Sequence, residues 1–253
     1  MTDVLVTGAK GFIAKNLIKR LGDNKSLNII EFVREDNLVD LADMTKKADF
    51  IFHLAGEVRP KSKKSEFEES NSHLTKHLID AVLRSKKKTP ILLTSSIHSD
   101  LADNSYGKTK RESESFIERY SIDEGVPCFI YKLPHIFGEG CKPNYNSVIT
   151  TWVYNRINNI ETIVYDRNIE MEYIYVQDLV DEFIGCLDSK VNLESIIFKG
   201  YCNSYKTTLG DVYDYIQEFY ENIENDEYRI NGNNFKSVLF EVYKEYYKDC
   251  KLN

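Results

Sequence analysis

Tyr106-Gly107-Lys108-Thr109-Lys110 sets a phenol and an ammonium four residues apart. On a helix that spacing puts both side chains on one face. A cation beside a phenol favours the phenolate. Lys110 is therefore expected to lower the Tyr106 pKa and make it a usable proton donor and acceptor near neutral pH. Lys110 is also placed to hold a nicotinamide ribose. The run Thr94-Ser95-Ser96-Ile97 precedes this motif, and Ser96 stands ten residues before Tyr106. A hydroxyl at a strand end can bond a substrate carbonyl or hydroxyl. Period-two alternation sends Ser95 to the other side of the strand, so Ser96 is the catalytic hydroxyl, with Thr94 in reserve. A second such pair, Tyr247 and Lys251, has no strand before it and no hydroxyl partner, and is read as chance.

A second constellation opens the chain. Thr7-Gly8-Ala9-Lys10-Gly11-Phe12-Ile13-Ala14 follows the first apolar run, Val4–Val6. A Gly-rich turn alone is merely a turn. Placed between a first strand and a helix, it reads as a dinucleotide turn. Gly8 permits the tight turn, Gly11 lets the backbone approach a pyrophosphate at the helix N-terminus, and Lys10, Phe12 and Ile13 line it. The third position is Ala14, small enough for helix–strand packing. An NAD site usually carries an acid about 20 residues beyond these glycines. Here Arg34 stands at that point, which suits a 2′-phosphate and points to NADPH/NADP+ over NAD, although Glu31, Glu35 and Asp36 lie close. A solvated charged turn is the plain alternative. Asp40 and Leu41 are candidates to bracket the adenine.

The elements that must position these groups follow from hydrophobic spacing. Strands are expected at Val4–Val6, Leu27–Val33, Asp49–Ala55, Pro90–Thr94 and Cys128–Leu133, and helices at Phe12–Leu21, Ser70–Ser85 and Tyr106–Glu124. Such alternation predicts a doubly wound parallel sheet of Rossmann type, α/β in class. Ligands bind beyond the carboxyl ends of such strands. After about Lys142 the pattern becomes irregular and rich in Tyr. A helix capped by Thr208 and a last helix near Phe235–Lys248 read as a small lobe with an aromatic core. The expected division is 1–142, an NADP-binding domain, and 143–253, a small C-terminal substrate-binding lobe, part of which returns to the first core around 160–200.

Composition excludes several function classes. The 253 residues carry a net charge of −7, which argues against nucleic acid as the main partner. No apolar run reaches spanning length, and no secretory signal precedes Val4. The five cysteines, Cys128, Cys141, Cys186, Cys202 and Cys250, are scattered and never form CxxC, so neither a zinc knuckle nor a disulfide framework is expected. The expected setting is the reducing cytoplasm. His73, His77 and His98 lack a ligand constellation, so no metal site is expected. His53 lies in a buried strand and reads as a packed core residue. Lys61–Lys64 and Lys86–Lys88 read as solvated faces.

Taken together, Thr7-Gly8-x-x-Gly11, His53-Leu54-Ala55-Gly56, Ser96 and Tyr106-x-x-x-Lys110 resemble the extended short-chain dehydrogenase/reductase pattern, the NAD-dependent epimerase/dehydratase family. The resemblance implies cofactor contacts at Leu54, Ala55 and Gly56, and roles for Ser96, Tyr106 and Lys110 that agree with their chemistry. Three further features look like the reductase domain of the bifunctional capsular-polysaccharide enzymes that make UDP-2-acetamido-2,6-dideoxy-L-talose. They are Ala55-Gly56-Glu57-Val58-Arg59-Pro60, the stretch from Phe137-Gly138 into Cys141–Val148, and the short step from Ser96 to Tyr106. In those enzymes a C-terminal cupin domain performs the preceding 3-epimerisation. No cupin-like run follows Phe235–Lys248, so that step is expected to be absent, to reside in a separate cupin-type protein, or to lie in a further part of a longer chain.

The substrate contacts expected are Arg59, Ser96, Ile97, His135, Asn146, Ser147 and Arg167. Arg59 can reach a phosphate. Asn146 and Ser147 open a helix whose N-terminus either binds a diphosphate or is simply capped. Two departures stand out: Lys132-Leu133-Pro134-His135 replaces the usual Arg-x-x-Asn, and Asp166-Arg167 lies ahead of Val176-Gln177-Asp178 instead of beside it. The function expected is NADPH-dependent reduction of a nucleotide-activated, UDP-linked 4-keto-6-deoxy sugar for bacterial surface polysaccharide, by a homodimer. The alternatives are an NAD-dependent nucleotide-sugar 4-epimerase or dehydratase and, in another class, a non-enzymatic NADP-sensing or scaffold protein on the same fold.

Overall fold

In the computed structural model every residue of β3 (Phe50–His53) and β4 (Ile91–Ser96) is buried. Only strands covered on both faces can do this, and their near-continuous apolar sequences are the cause. The description covers residues 1–253 except Pro60, Asn146, 188–196, 200–202, Asp226, Asn233 and Asn253, and excludes the side chains of 197–199 and of 251–252. The chain forms two compact units, one of 1–133 with 180–202 and one of 134–179 with 203–253.

The first unit alternates strand and helix. In chain order its elements are β1 (Thr2–Thr7), α1 (Phe12–Leu21), β2 (Leu27–Phe32), α2 (Leu38–Lys47), β3, α3 (Lys64–Phe67), a π-helical turn (Glu68–His73), α4 (Leu74–Ser85), β4, α5 (His98–Leu101), α6 (Ser105–Glu124) and β5 (Cys128–Leu133). The sheet order is β2-β1-β3-β4-β5 with β8 (Ile197–Lys199) at the end, and every pairing is parallel. This is the doubly wound Rossmann architecture. Strand order reverses between β1 and β3, which puts the ligand crevice beyond their carboxyl ends. On one face Leu5, Ile51, Leu93 and Ile130 pack with Leu78 and Val82 of α4 and Ile117 of α6. On the other, Phe50, Phe52, Phe129 and Tyr131 form an aromatic ladder with Phe183.

The second unit holds β6 (His135–Phe137), α7 (Val148–Ile157), β7 (Glu170–Tyr175), the start of α8 (Val176–Gly185), β9 (Tyr205–Thr208), α9 (Leu209–Asn222) and α10 (Phe235–Leu252). β7 pairs parallel with β6 and antiparallel with β9. Its core is aromatic: Tyr173 stacks on Phe235 at 5.6 Å, and Phe137, Phe219 and Tyr243 are fully buried. Thr208 starts α9 with a capping box, its hydroxyl accepting from the Asp211 N–H.

Two expectations need correction. Residues 70–85 do not form one regular helix, because the π-helical turn at Glu68–His73 precedes α4 and turns Asn71 and Ser72 inward. α2 was not expected at all. Only Leu41 and Thr45 of it are buried, too few to produce a helical stripe.

His53 ties β1 to β3 and α4. The Ala55 N–H bonds Thr7 Oγ1 at 3.2 Å, and Thr7 Oγ1 meets His53 Nδ1 at 2.7 Å. On the other side His53 Nε2 lies 2.8 Å from Thr75 Oγ1, which donates to the Asn71 carbonyl at 2.7 Å. One proton per link makes the imidazole neutral with its proton on Nε2. Burial, with a smaller contribution from Lys110, lowers its pKa to about 3. The unfolded chain takes up this proton near pH 6.5 and the folded chain does not. Folding is therefore predicted to weaken as pH falls below about 6.5, by up to roughly 1.4 kcal/mol per pH unit from this group. Urea unfolding at pH 7.5, 6 and 4.5 should show a shallower loss in His53→Asn than in the wild type. Equal losses would remove His53 from the account.

Candidate active site

The turn after β1 is built for close approach. Gly8 has φ +68°, and a Cβ there would lie 2.7 Å from the Ala55 Cα. Its N–H bonds the Phe32 carbonyl at 2.9 Å, and Gly11 N–H bonds the Gly8 carbonyl at 2.7 Å. Gly11 is the N-cap of α1; no side chain caps the helix and no acid occupies its first turn. Phe12 and Ile13 sit in that turn, half-buried, and Ala14 is buried against the sheet. Uncapped N–H groups without a nearby acid fit the pyrophosphate of a dinucleotide.

At the end of β2 the charges are already paired. Arg34 is largely exposed and reaches Glu57 at 3.3 Å, while Lys10 pairs with Glu35 at 3.1 Å. Glu57, absent from the expected site, is the organiser here. Its carboxylate is buried, takes two bonds from the Arg59 guanidinium at 2.9 and 2.7 Å, and accepts the Val58 and Arg59 N–H groups. Burial pushes its pKa up, but the Arg59, Arg34 and Ser62 hydrogen bonds prevail and hold it at about 2. Arg59 is thus bound to Glu57, with Glu66 at 3.7 Å. Asp40 takes part in the α2 capping box, and Leu41 is buried in the core, so the structure gives both a local structural task.

Ser96, Tyr106 and Lys110 come together beyond β4. The β4 alternation is as expected: Ser95 turns to Glu114, and Ser96 turns to Tyr106, whose pKa it pulls down. Ser96 Oγ also accepts from the His98 N–H at 3.3 Å. Thr94, the reserve, directs its hydroxyl to the His53 carbonyl. Ile97 follows β4 and is 38% exposed. Lys110 is buried, and its Nζ donates to the Thr94 carbonyl at 2.9 Å. Burial lowers its pKa to about 8, against the opposing pull of Glu114.

The pKa of Tyr106 moves the other way from expectation. Burial raises it, and the Ser96 hydrogen bond offsets that only in part. The ring is flanked by Phe67 at 5.8 Å and His98 at 6.1 Å, and the Lys110 ammonium is 6.0 Å from its centroid, bound to Thr94. Desolvation outweighs a cation at that distance.

The two constellations meet through Leu54-Ala55-Gly56. Gly8 abuts Ala55, and a Cβ on Gly56 would lie 3.1 Å from Lys110 Nζ and 2.9 Å from Asn71 Oδ1. Asn71, also missed, is buried in the π-helical turn. It accepts from Glu57 N–H at 2.8 Å and donates to Thr109 Oγ1 at 3.1 Å. Its signal was available: a polar residue on the apolar stripe of Leu74, Leu78 and Val82.

The remaining candidates lie in the second unit. His135 is exposed on β6, its ring 5.8 Å from Tyr173. Ser147 is the N-cap of α7 and accepts from the Thr150 N–H at 3.3 Å. Arg167 pairs with Asp214 of α9 at 2.6 Å and reaches the Gly210 carbonyl at 3.4 Å. Asn146 lies outside the described residues.

Comparison with known proteins bears on the family and the fold. The chain is similar to a UDP-2-acetamido-2,6-beta-L-arabino-hexul-4-ose reductase from Pseudomonas aeruginosa, 36% identical over 216 residues, which cover 85% of this chain and 57% of that protein. Among solved structures it is similar to the capsular polysaccharide assembling protein CapF from Staphylococcus aureus, with TM-score 0.83 and 36% identity, covering 95% of this chain and 64% of that one. It thus spans less than two thirds of either relative's length. A UDP-N-acetylglucosamine 4-epimerase from Methanobrevibacter ruminantium superimposes with TM-score 0.82 at 19% identity, over 98% of this chain and 100% of that one, a likeness of fold. The family model for the NAD dependent epimerase/dehydratase family matches residues 4–197, and the chain belongs to that family.

Proposed function

We propose that the chain is an NADPH-dependent reductase of a UDP-linked 4-keto-6-deoxy sugar, serving bacterial surface polysaccharide synthesis. One observation carries the reading: Gly8 lies too close to Ala55, and Gly56 too close to Lys110, for either glycine to carry a Cβ, which sets the dinucleotide turn and Lys110 on the two ends of one short segment. The name of the Pseudomonas relative, a reductase of a UDP-linked hexul-4-ose, supports the substrate class.

With its pyrophosphate held at the Gly8–Gly11 turn, a dihydronicotinamide cofactor would supply the hydride. The chain's own groups manage the proton. Tyr106, kept protonated by burial, is the donor to the oxygen of the carbonyl being reduced. Ser96, on the same side as Tyr106, stabilises charge on that oxygen. Lys110 spends one of three donors on the Thr94 carbonyl, which leaves its others for the cofactor ribose. The raised phenol pKa keeps Tyr106 protonated in the free protein and makes it a weaker acid than the spacing to Lys110 alone implies. In this reading Arg34 is assigned to the cofactor 2′-phosphate and Arg59 to a substrate phosphate.

Tyr106→Phe is predicted to lose roughly two to four orders of magnitude in kcat, followed by NADPH oxidation with UDP-4-keto-6-deoxy sugars. A loss below tenfold would remove Tyr106 as the acid. Fluorescence titration should show tighter NADPH than NADH binding. Arg34→Ala should weaken NADPH by about 10- to 100-fold, the worth of a charge-assisted bond, and leave NADH unchanged. Equal affinities, or copurified NAD that does not exchange, would favour a 4-epimerase or dehydratase instead. Dinucleotide binding with no turnover of any keto sugar would favour a sensor.

A further inference from the structure

Glu114 stands one turn beyond Lys110 on α6 and is fully buried. One carboxylate oxygen accepts from the Ser95 hydroxyl and, at 2.5 Å, from the Ser99 hydroxyl. The other meets Arg111 Nη1 at 2.9 Å and Lys132 Nζ at 3.6 Å. Ser99 Oγ also lies 2.7 Å from the Ser96 carbonyl. The residue before Ser96 and the residue three after it are therefore fastened to one carboxylate. Arg111, on the same helix as Tyr106, holds that carboxylate in turn. A buried carboxylate is costly unless it is paired and hydrogen-bonded, and two of the partners here, Ser95 and Ser99, flank Ser96 along the chain.

We propose that Glu114 is a positioning residue: by binding Ser95 and Ser99 it fixes the turn out of β4 and so sets the Ser96 hydroxyl against Tyr106. The proposal rests on the reductase reading for what Ser96 and Tyr106 do, but its geometry can be tested without it. A second consequence concerns Lys110. Among the described residues, the titratable groups facing Lys110 are Glu114 and Tyr106 on its own helix and His53 on β3. Glu114 supplies the negative charge among them, and thereby favours the charged lysine.

The substrate-independent test is 19F NMR of protein labelled with 3-fluorotyrosine. The Tyr106 resonance is assigned by its loss in Tyr106→Phe, and Ser96→Ala marks its position without the serine hydroxyl. Glu114→Ala and Ser99→Ala should both move the resonance toward the Ser96→Ala position. Ser99→Ala keeps the carboxylate with Arg111 and Lys132, so it decides the matter if Glu114→Ala does not fold. A Tyr106 resonance unmoved in the folded variants overturns the proposal. In turnover, kcat should fall about 10- to 100-fold, as for a misplacement near 1 Å, with both KM values within about threefold. Glu114→Gln should shift the alkaline limb of the kcat profile to lower pH, whereas Ser99→Ala should leave it in place. Loss shared equally between kcat and KM, with no shift of that limb, would mark a merely structural residue and overturn the assignment. If the wild type reduces no keto sugar, the functional reading fails alone, and the resonance still judges Glu114.

Discussion

A buried ammonium governs the arrangement of the first unit. Taking Lys110 out of water is costly unless polar partners replace the solvent. The Thr94 carbonyl at the end of β4 is one such partner, and Glu114 on the next turn is the charge that offsets desolvation. The residue after Ala55 is glycine where any Cβ would crowd the ammonium and Asn71. The π-helical turn brings Asn71 inward to hold Glu57 and Thr109 around the same point. Each of these features is unfavourable or unusual alone. Together they are consistent with keeping one lysine dry, charged and fixed.

That constraint explains which parts of the site were legible in the sequence. The four-residue spacing of Tyr106 and Lys110 and the alternation of Ser95 and Ser96 are local, so periodicity alone orients them. The parallel sheet was equally legible, because β3 and β4 are apolar throughout. The direction of the Tyr106 pKa was not. Sequence spacing reveals the cation but not the rings of Phe67 and His98 that strip water from the phenol, nor the carbonyl that holds the ammonium. Glu57 and Glu114 escaped for a related reason. A carboxylate in a charged-looking segment reads as solvated until its burial is known.

The second unit marks a different limit. Ser147 and Arg167 have polar partners in their own unit, the Thr150 N–H and Asp214. Capping and anion binding draw on the same N–H groups at a helix start, so a sequence cannot separate them. An arginine in an exposed pair can exchange its carboxylate for a phosphate at little cost, since such a pair is worth at most about 1 kcal/mol.

A net charge of −7 opposes anion binding over the molecule as a whole, and the proposed cofactor and substrate are anions. The geometry resolves this locally. At α1 the groups offered to an anion are backbone N–H donors, whose effect falls off within one helical turn and does not depend on the chain's net charge. At the end of β2, the acids that would serve an NAD ribose hydroxyl are engaged: Glu35 with Lys10, Asp36 with the Val33 N–H, and Glu57 with Arg59 and Arg34. Of these contacts, the one from Arg34 to Glu57 is long, from a side chain that is 71% exposed. Glu57 keeps its closer partner Arg59 if Arg34 turns away. A 2′-phosphate can therefore recruit Arg34 without leaving a buried carboxylate unpaired. The proposed NADPH preference draws on that freedom of Arg34.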